Sequence, residues 1–341
     1  MRYYEGDFIT GGMPPDILSI PLTMKREFTD LDYFLSKDKI VYLVKGYYHP
    51  PGGVFAYPVF WPDKNGDRRH TQWGRYKKDV SDFGKKIFEI HPEYQHDFVP
   101  RNTPLVLEKD ILEIFHPRDK IKQFKQEWQG SVWYDIFNYL TEKLGIAEAD
   151  MGIFGSYLVG LNRDGKGKHV KDVDFIVYGL ENFHKVKNSI EDLLDYFGFS
   201  HISKEHIRYH QEKFGKLFDP AVNSFDKTLA NKWSAIQIKP GILNTLRFVY
   251  KEDEIPPNPI SSPVEVLIQI EGIVEEDVGA NFMPRIFSVE IKNSVYAVIT
   301  YFWAFQSCVK QGDKVLITGN LHQDGRTISV DSHSHGIKIL S

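Results

Sequence analysis

The sequence predicts a multi-domain α+β protein with a β-rich N-terminal domain over residues 1–117, a central α/β domain over 118–252 and a small OB-like β-barrel over 263–341. Three observations lead to this prediction. Aromatic and β-branched runs dominate the first region, helical and strand patterns alternate in the second, and only strand-like runs follow a proline-rich segment. The chain has 341 residues, of which 42% are hydrophobic and 26% charged, so it can bury a core in each domain.

Two runs near the N-terminus, "KIVYLVKGYYHP" and "VFAYPVFWP", are rich in residues that favour strands. The turn-forming "HPPGG" lies between them, so we expect a hairpin there, with a further turn at "DKNGD". The stretch "DRRHTQWGRYKKD" then interleaves basic residues with Trp73 and Tyr76. Such a pattern suits either a nucleic-acid backbone with stacked bases or a solvated charged loop.

In the central region, "SVWYDIFNYLTEKLG" repeats apolar residues at helical spacing, with Ser131 as the N-cap and Gly145 as the stop. The stretch "ENFHKVKNSIEDLLDYFG" predicts a second helix, which Gly198 ends, and "SKEHIRYHQEKFGKLF" predicts a third. Two strands are expected in "WSAIQIKPGILNTLRFVY". This alternation is typical of an α/β unit.

The segment "KEDEIPPNPISSP", residues 251–263, is charged and then dense in proline, as domain linkers are. At least four strand-like runs follow it, and Asp324-Gly325 marks a turn near the end of the chain. Short strands without a long helix predict a small closed or nearly closed barrel.

Composition excludes several classes of protein. The net charge of -4 argues against a strongly basic, histone-like protein, and the single cysteine, Cys308, excludes an internal disulfide and a cysteine-based zinc site. The N-terminus has no apolar signal core, and the longest apolar run, Val295–Val309, is shorter than the roughly 20 residues of a membrane span. We therefore expect a soluble, cytoplasmic protein that has no membrane partner.

The stretch "IFGSYLVGLNRDGKGKHVKDVDFIVYG" carries the strongest functional signal. Asp172 and Asp174 are two residues apart on a predicted strand, so their carboxylates face the same way. Two close carboxylates repel each other unless a cation lies between them, and Mg²⁺ typically binds one or two carboxylates together with substrate phosphates. The alternative is an ordinary Asp-x-Asp pair on an exposed strand edge.

The Gly155-Ser156 pair follows a strand-like run where a helix should start. Glycine lets a phosphate approach backbone N–H groups, and serine can donate its hydroxyl. The basic insert before Asp172 adds Lys166 and Lys168, which either touch the same phosphates or belong to a solvated loop. A plain turn is the alternative for the Gly-Ser pair.

The order of these motifs resembles the DNA polymerase beta-like nucleotidyltransferase superfamily, over about 120 residues. The whole chain also resembles a family of uncharacterised archaeal proteins that carry this domain, on the segments "VKGYYHP", "AYP" and "VYG". The resemblance implies that Gly155 and Ser156 hold the phosphates of a nucleoside triphosphate and that Asp172 and Asp174 bind Mg²⁺ or Mn²⁺. It further implies transfer of a nucleoside monophosphate to an acceptor, which could be RNA, DNA or protein, with release of pyrophosphate.

One position departs from the superfamily pattern. Active members usually carry a third acidic residue on a later strand, but the corresponding strands here offer Gln237 or Arg247. Neither side chain can act as an anionic metal ligand or a base. Two hypotheses follow: a weak Mg²⁺-dependent nucleotidyltransferase, or a nucleic-acid-binding protein in which an OB-like domain accompanies a catalytically degenerate transferase fold.

Overall fold

Helices and strands are both present in the computed structural model, as the sequence predicts. The structure describes residues 23–24, 27–80, 85–97, 100, 102–163, 172–215, 218–239, 242–258 and 266–341. Within these ranges, every helix is too short or too polar to cross a membrane.

The N-terminal unit is built on a seven-stranded sheet. Its strands are β2 (Tyr33–Ser36), β3 (Val41–Val44), β5 (Gly53–Pro62), β6 (Arg68–His70), β7 (Gly74–Lys78), β8 (Leu105–Leu107) and β9 (Ile111–Phe115). They follow the order β6-β7-β5-β3-β2-β9, and β8 pairs with β5. A separate two-stranded sheet joins β1 (Thr23–Met24) to β4 (Tyr48–His49), and the short helix α1 covers Lys85–Ile90.

The hairpin predicted across "HPPGG" is confirmed, because β3 and β5 pair antiparallel. Gly52 in this turn has a φ of 78°, a conformation that glycine adopts without a steric penalty. Aromatic side chains fill the core of the unit: Phe34 and Tyr42 are buried and stack with their ring centroids 5.1 Å apart.

The central unit has a five-stranded sheet in the order β10-β11-β14-β13-β12. The strands are β10 (Met151–Phe154), β11 (Asp174–Tyr178), β12 (Ser200–His201), β13 (Ala235–Lys239) and β14 (Ile242–Val249). The β11–β14 pair is parallel and the other pairs are antiparallel. The helices are α2 (Ile121–Glu127), α3 (Val132–Asn138), α4 (Leu180–Asn188), α5 (Ile190–Phe197), α6 (Lys204–Phe214) and α7 (Phe225–Ala230).

Local signals set the helix ends. The Ser131 hydroxyl oxygen accepts a hydrogen bond from the Tyr134 N–H at 3.3 Å, so the predicted N-cap of α3 is confirmed. The prediction of one helix over residues 181–198 is wrong, because Ser189 leaves the helical conformation with φ −112° and ψ 9° and separates α4 from α5. Serine hydroxyls compete for backbone hydrogen bonds, which weakens a helix at such a position. Gly198 ends α5 with a φ of 66°, as expected.

The C-terminal region forms the expected closed β-barrel. Its strands are β15 (Val266–Glu276), β16 (Arg285–Ile291), β17 (Ser294–Thr300), β18 (Lys314–Leu321) and β19 (Thr327–Ser329), with β20 (Gly336–Ile339) added beside β18. The five-stranded ring closes in the order β15-β16-β17-β19-β18-β15. The pair β17–β19 is parallel. The long strand β15 closes the ring because it pairs with β18 along its first part and with β16 at its end.

The three units pack closely against one another. The Tyr250 ring of the central unit stacks on Phe282 of the barrel, with centroids 4.1 Å apart. The Tyr47 hydroxyl of the N-terminal unit accepts a hydrogen bond from the Tyr250 N–H at 2.9 Å. The helices α6 and α7 place Phe214 and Phe225 in the same hydrophobic cluster as the barrel core. Of these residues, Phe214 also lines the cavity that adjoins the candidate site.

Candidate functional site

Gly155 and Asp174 lie side by side at the edge of the central sheet. Strands β10 and β11 pair so that Phe154 is opposite Asp174, and Gly155 is the next residue. Gly155 has a φ of 76°, and a Cβ atom built on it would lie 3.0 Å from Asp174 Oδ2. The structure therefore brings the glycine of the first motif to the aspartate of the second, as the sequence predicts.

The chain after Gly155 forms turns over residues 155–160 rather than the expected helix. The Leu161 N–H donates to the Ser156 carbonyl at 2.8 Å, and the Gly160 N–H donates to the Tyr157 carbonyl at 3.2 Å. These bonds fold the segment back on itself before a helical turn can form. Any phosphate contact at this position must therefore use a turn and not a helix dipole.

Asp172 lies two residues before β11 instead of on the strand, since β11 begins at Asp174. The two carboxylates are nevertheless neighbours. Burial and then the negative charge of Asp172 raise the pKa of Asp174 to about 6, although Lys78, Arg247 and a backbone hydrogen bond from Thr245 act in the opposite direction. Asp172 Oδ1 is buried and has no hydrogen-bond partner.

Arg247 stands where a third acidic residue was sought. It lies on β14, the parallel neighbour of β11, and is opposite Ile176. Its charge lowers the pKa of Asp174, and its guanidinium carbon lies 5.9 Å from the centroid of the Phe154 ring. The other sequence candidate, Gln237, is occupied elsewhere, because its Oε1 accepts a hydrogen bond from the Ser203 N–H at 3.0 Å.

These residues fit one divalent cation better than two. The unsatisfied Asp172 oxygen and the adjacent Asp174 carboxylate provide two oxygen ligands, which is the number Mg²⁺ typically takes from protein when it also binds phosphates. In the part of the chain that the structure describes, no three His, Cys, Asp or Glu side chains gather as a metal site. Lys168 and Lys166, expected beside the phosphates, lie outside the described residues.

A cavity of about 500 Å³ adjoins this site where the three units meet. It shares the side chains of Phe154, Arg247 and Lys78 with the surroundings of Asp174. Its floor is formed by buried side chains: Asp30, Lys45, Arg285 and Gln306. Its mouth is formed by exposed side chains: Asp67, Lys78, Tyr209 and Lys213.

The buried cations of the cavity repel one another. Burial, together with the charges of Arg285 and Arg247, lowers the pKa of Lys45 to about 7 against the attraction of Asp30. Burial and the charge of Arg247 lower the pKa of Arg285 to about 9. Buried charges are costly unless they are paired, so this arrangement favours an anionic partner.

Several polar atoms that line the cavity have no hydrogen-bond partner. Gln306 is 1% exposed, and neither its Nε2 nor its Oε1 is hydrogen-bonded. Trp303 Nε1, His210 Nδ1 and Arg68 Nη1 are also buried and have no hydrogen-bond partner, whereas Arg68 Nε lies 3.5 Å from Asp67 Oδ2. Buried polar groups are nearly always satisfied in folded proteins, so these atoms need partners from outside the protein chain, which are water or a bound ligand.

The basic and aromatic hairpin β6–β7 contributes to this region in an unexpected way. Its aromatic residues are not a stacking platform for bases: Tyr76 is fully buried, and Trp73 stacks on His70 with centroids 3.7 Å apart. The Arg69 N–H donates to the Arg163 carbonyl at 3.0 Å, which fixes the hairpin beside the turn that follows Gly155. Two of its basic residues, Arg68 and Lys78, line the cavity, while Tyr76 packs in the core.

Comparison with known proteins does not place the chain: no family model, no curated protein and no solved structure matches it. The functional assignment therefore depends on the geometry of the site.

Proposed function

We propose that the protein is a Mg²⁺-dependent nucleotidyltransferase, which moves a nucleoside monophosphate from a nucleoside triphosphate to an acceptor. The observation that carries the proposal is the meeting of Gly155, Asp172 and Asp174 beside the cationic Arg247. Transfer of a nucleoside monophosphate from a triphosphate requires three components: carboxylates that hold a cation, a turn without a side chain, and a fixed positive charge.

Each residue has a distinct role in this proposal. Asp172 and Asp174 would hold Mg²⁺, which neutralises charge on the triphosphate when it is bound. Gly155 leaves the space beside Asp174 open, because any Cβ would lie 3.0 Å from its carboxylate oxygen. Arg247 and Lys78 supply positive charge next to Asp174, which stabilises the negative charge that develops on the phosphate oxygens.

The proposed reaction is slow. With Arg247 in the place of a third carboxylate, the strand beside β11 offers no base for the proton of the attacking hydroxyl at that position. General-base assistance typically contributes about 10²–10⁴-fold, so its absence leaves catalysis by positioning and electrostatics alone.

Calorimetry with each nucleoside triphosphate, with and without Mg²⁺, tests binding. Changing Asp172 and Asp174 together to Asn removes both anionic ligands and should abolish the Mg²⁺ dependence. The matched control changes the exposed Asp192 and Asp195 to Asn, which removes the same charge far from the site. Equal Mg²⁺ dependence in both double variants would refute the proposal. Label transfer from each triphosphate to RNA, DNA, protein and small-molecule acceptors then tests the chemistry.

A second candidate, a nucleic-acid-binding protein with a degenerate transferase fold, is favoured by two observations. Arg247 stands where the superfamily pattern has an acidic residue, and the closed ring β15-β16-β17-β19-β18 with its parallel β17–β19 pair supports an OB-like barrel. OB barrels commonly bind oligonucleotides. Triphosphate binding without label transfer to any acceptor, together with binding of single-stranded nucleic acid, would support this candidate over the enzyme.

A further inference from the structure

We propose that the cavity between the three units binds the acceptor, and that the acceptor is a small organic molecule that carries a phosphate group. The inference deepens the proposed nucleotidyl transfer and rests on it. It replaces a polymeric acceptor with one that fits inside the protein.

The charge of the cavity selects an anion. Six basic side chains and three carboxylates line it among the described residues. The basic side chains are Arg68, Lys78, Lys213, Arg247, Arg285 and Lys45, of which Lys45, with a pKa of about 7, is only partly charged at neutral pH. His210, which also lines the cavity, adds no charge at neutral pH, because burial and neighbouring cations lower its pKa to about 4. The net positive charge in a largely enclosed space favours a phosphate over a neutral ligand.

Two basic side chains of the cavity are buried, which distinguishes the cavity from a basic patch on the surface. Lys45 is 3% exposed and Arg285 is 5% exposed. Arg285 is held in place by its own hydrogen bonds, since its Nε and Nη1 donate to the Phe302 and Phe282 carbonyls at 3.2 Å. Such fixed, dehydrated cations bind an anion more strongly than mobile surface lysines do.

Unpaired polar atoms define the rest of the ligand. Gln306 offers an amide donor and an amide acceptor, while Trp303 Nε1 and Arg68 Nη1 offer donors. A ligand that satisfies all of them needs hydroxyl groups as well as the phosphate, because a hydroxyl both donates and accepts. A phosphorylated polyol or sugar has this combination.

Size and position make this ligand the acceptor. About 500 Å³ lies within the range of roughly 300–1,000 Å³ that small-molecule pockets occupy. Arg247, Lys78 and Phe154 are common to the cavity and to the surroundings of Asp174, so a ligand in the cavity lies beside the triphosphate. A hydroxyl of the ligand attacks the α-phosphorus, the bond from that phosphorus to the bridging oxygen breaks, pyrophosphate leaves with the electron pair, and the hydroxyl proton passes to water.

The test titrates the full chain with inorganic phosphate and with glucose 6-phosphate by calorimetry, without Mg²⁺. The test variant is Arg68→Gln, and its matched control is Arg69→Gln, the exposed neighbour on the same strand, which does not line the cavity. We expect saturable binding that weakens at least about tenfold in Arg68→Gln, as loss of a hydrogen bond to a charged group predicts, and stays unchanged in Arg69→Gln. Gln306→Leu should weaken glucose 6-phosphate but not inorganic phosphate, because only the sugar needs the amide.

Binding of ATP in the presence of Mg²⁺ is measured in the same variants. This measurement separates the inference from the proposed function. Unchanged ATP binding in Arg68→Gln supports a separate acceptor site. An equal loss of ATP and phosphate binding in Arg68→Gln overturns the inference, since the nucleotide itself would then fill the cavity. Absence of saturable binding by either phosphate probe also overturns it. Phosphate binding without any ATP binding overturns the acceptor assignment together with the proposed function, and leaves an anion site.

Discussion

Replacing Asp174 with Asn should stabilise the protein at neutral pH although it removes a metal ligand. The pKa of Asp174 rises from 3.8 to about 6 on folding, so the folded state disfavours the ionised carboxylate. Its destabilising effect is absent below pH 3.8, grows as the pH rises towards 6 and is complete above it. At about 1.36 kcal/mol for each pKa unit, a shift of about two units gives an upper limit of about 3 kcal/mol. Because Asp174 is partly exposed to solvent, we expect a gain of about 1–2 kcal/mol at pH 7.5.

Urea unfolding at pH 7.5 and pH 4.5, without divalent cations, measures this effect. At pH 4.5 the gain in the free energy of unfolding should fall to less than half, because the wild-type carboxylate is then mostly protonated in the folded state. Asp195→Asn, at an exposed position of α5, is the control and should show no comparable change with pH.

A destabilised Asp174→Asn variant at pH 7.5, or the same effect at both pH values, would refute the reasoning. The first result would mean that the pairing of Asp174 with Arg247 and Lys78 outweighs its burial. The second would mean that folding does not raise the pKa of Asp174. Mg²⁺ with a triphosphate should stabilise the wild-type protein but not Asp174→Asn. This difference distinguishes a carboxylate that binds the metal from one with a structural role only.

Two further predictions concern backbone conformation and packing. Gly155→Ala and Gly130→Ala should each lower the free energy of unfolding by about 1–2 kcal/mol in thermal unfolding, because both glycines have a φ of 76°. Only Gly155→Ala should also weaken Mg²⁺-dependent triphosphate binding. Its Cβ would meet Asp174, whereas nothing lies within 4 Å of a Cβ at Gly130. Phe183→Ala should lower the free energy of unfolding in urea by about 3–5 kcal/mol, because the ring is fully buried. Leu112→Ala, at a side chain that is 50% exposed, should lower it by less than about 1 kcal/mol. Similar losses in the two variants would contradict this assignment of buried and exposed side chains.

Local features of the fold were predictable from the sequence. The N-cap at Ser131, the stop at Gly198 and the strand runs of the barrel each depend on a few neighbouring residues. The adjacency of Gly155 and Asp174 was also predictable, because a turn after one strand and the start of the next strand meet in an antiparallel pair. The break at Ser189 was not, since the apolar stripe continues through it and only the backbone reveals the change.

The cavity could not be predicted, because its residues are distant in the sequence. Lys45, Arg247 and Arg285 belong to three different units and meet only when those units pack together. Each is ordinary in its own strand or loop, and no spacing rule connects them. The buried position of Tyr76 was missed for a related reason: alternation along a strand shows that two faces differ, but not which face another part of the chain will cover.

All three units contribute residues to the cavity, and this has a consequence for the lifetime of the protein in a cell. Repulsion between the buried cations of the cavity opposes the packing of the three units. A bound anion would offset this repulsion, so that separating any one unit from the others would cost more free energy. Under the inference that the cavity binds a phosphorylated ligand, the abundance of the protein would follow the supply of that ligand without any change in synthesis, because molecules without it would be degraded first.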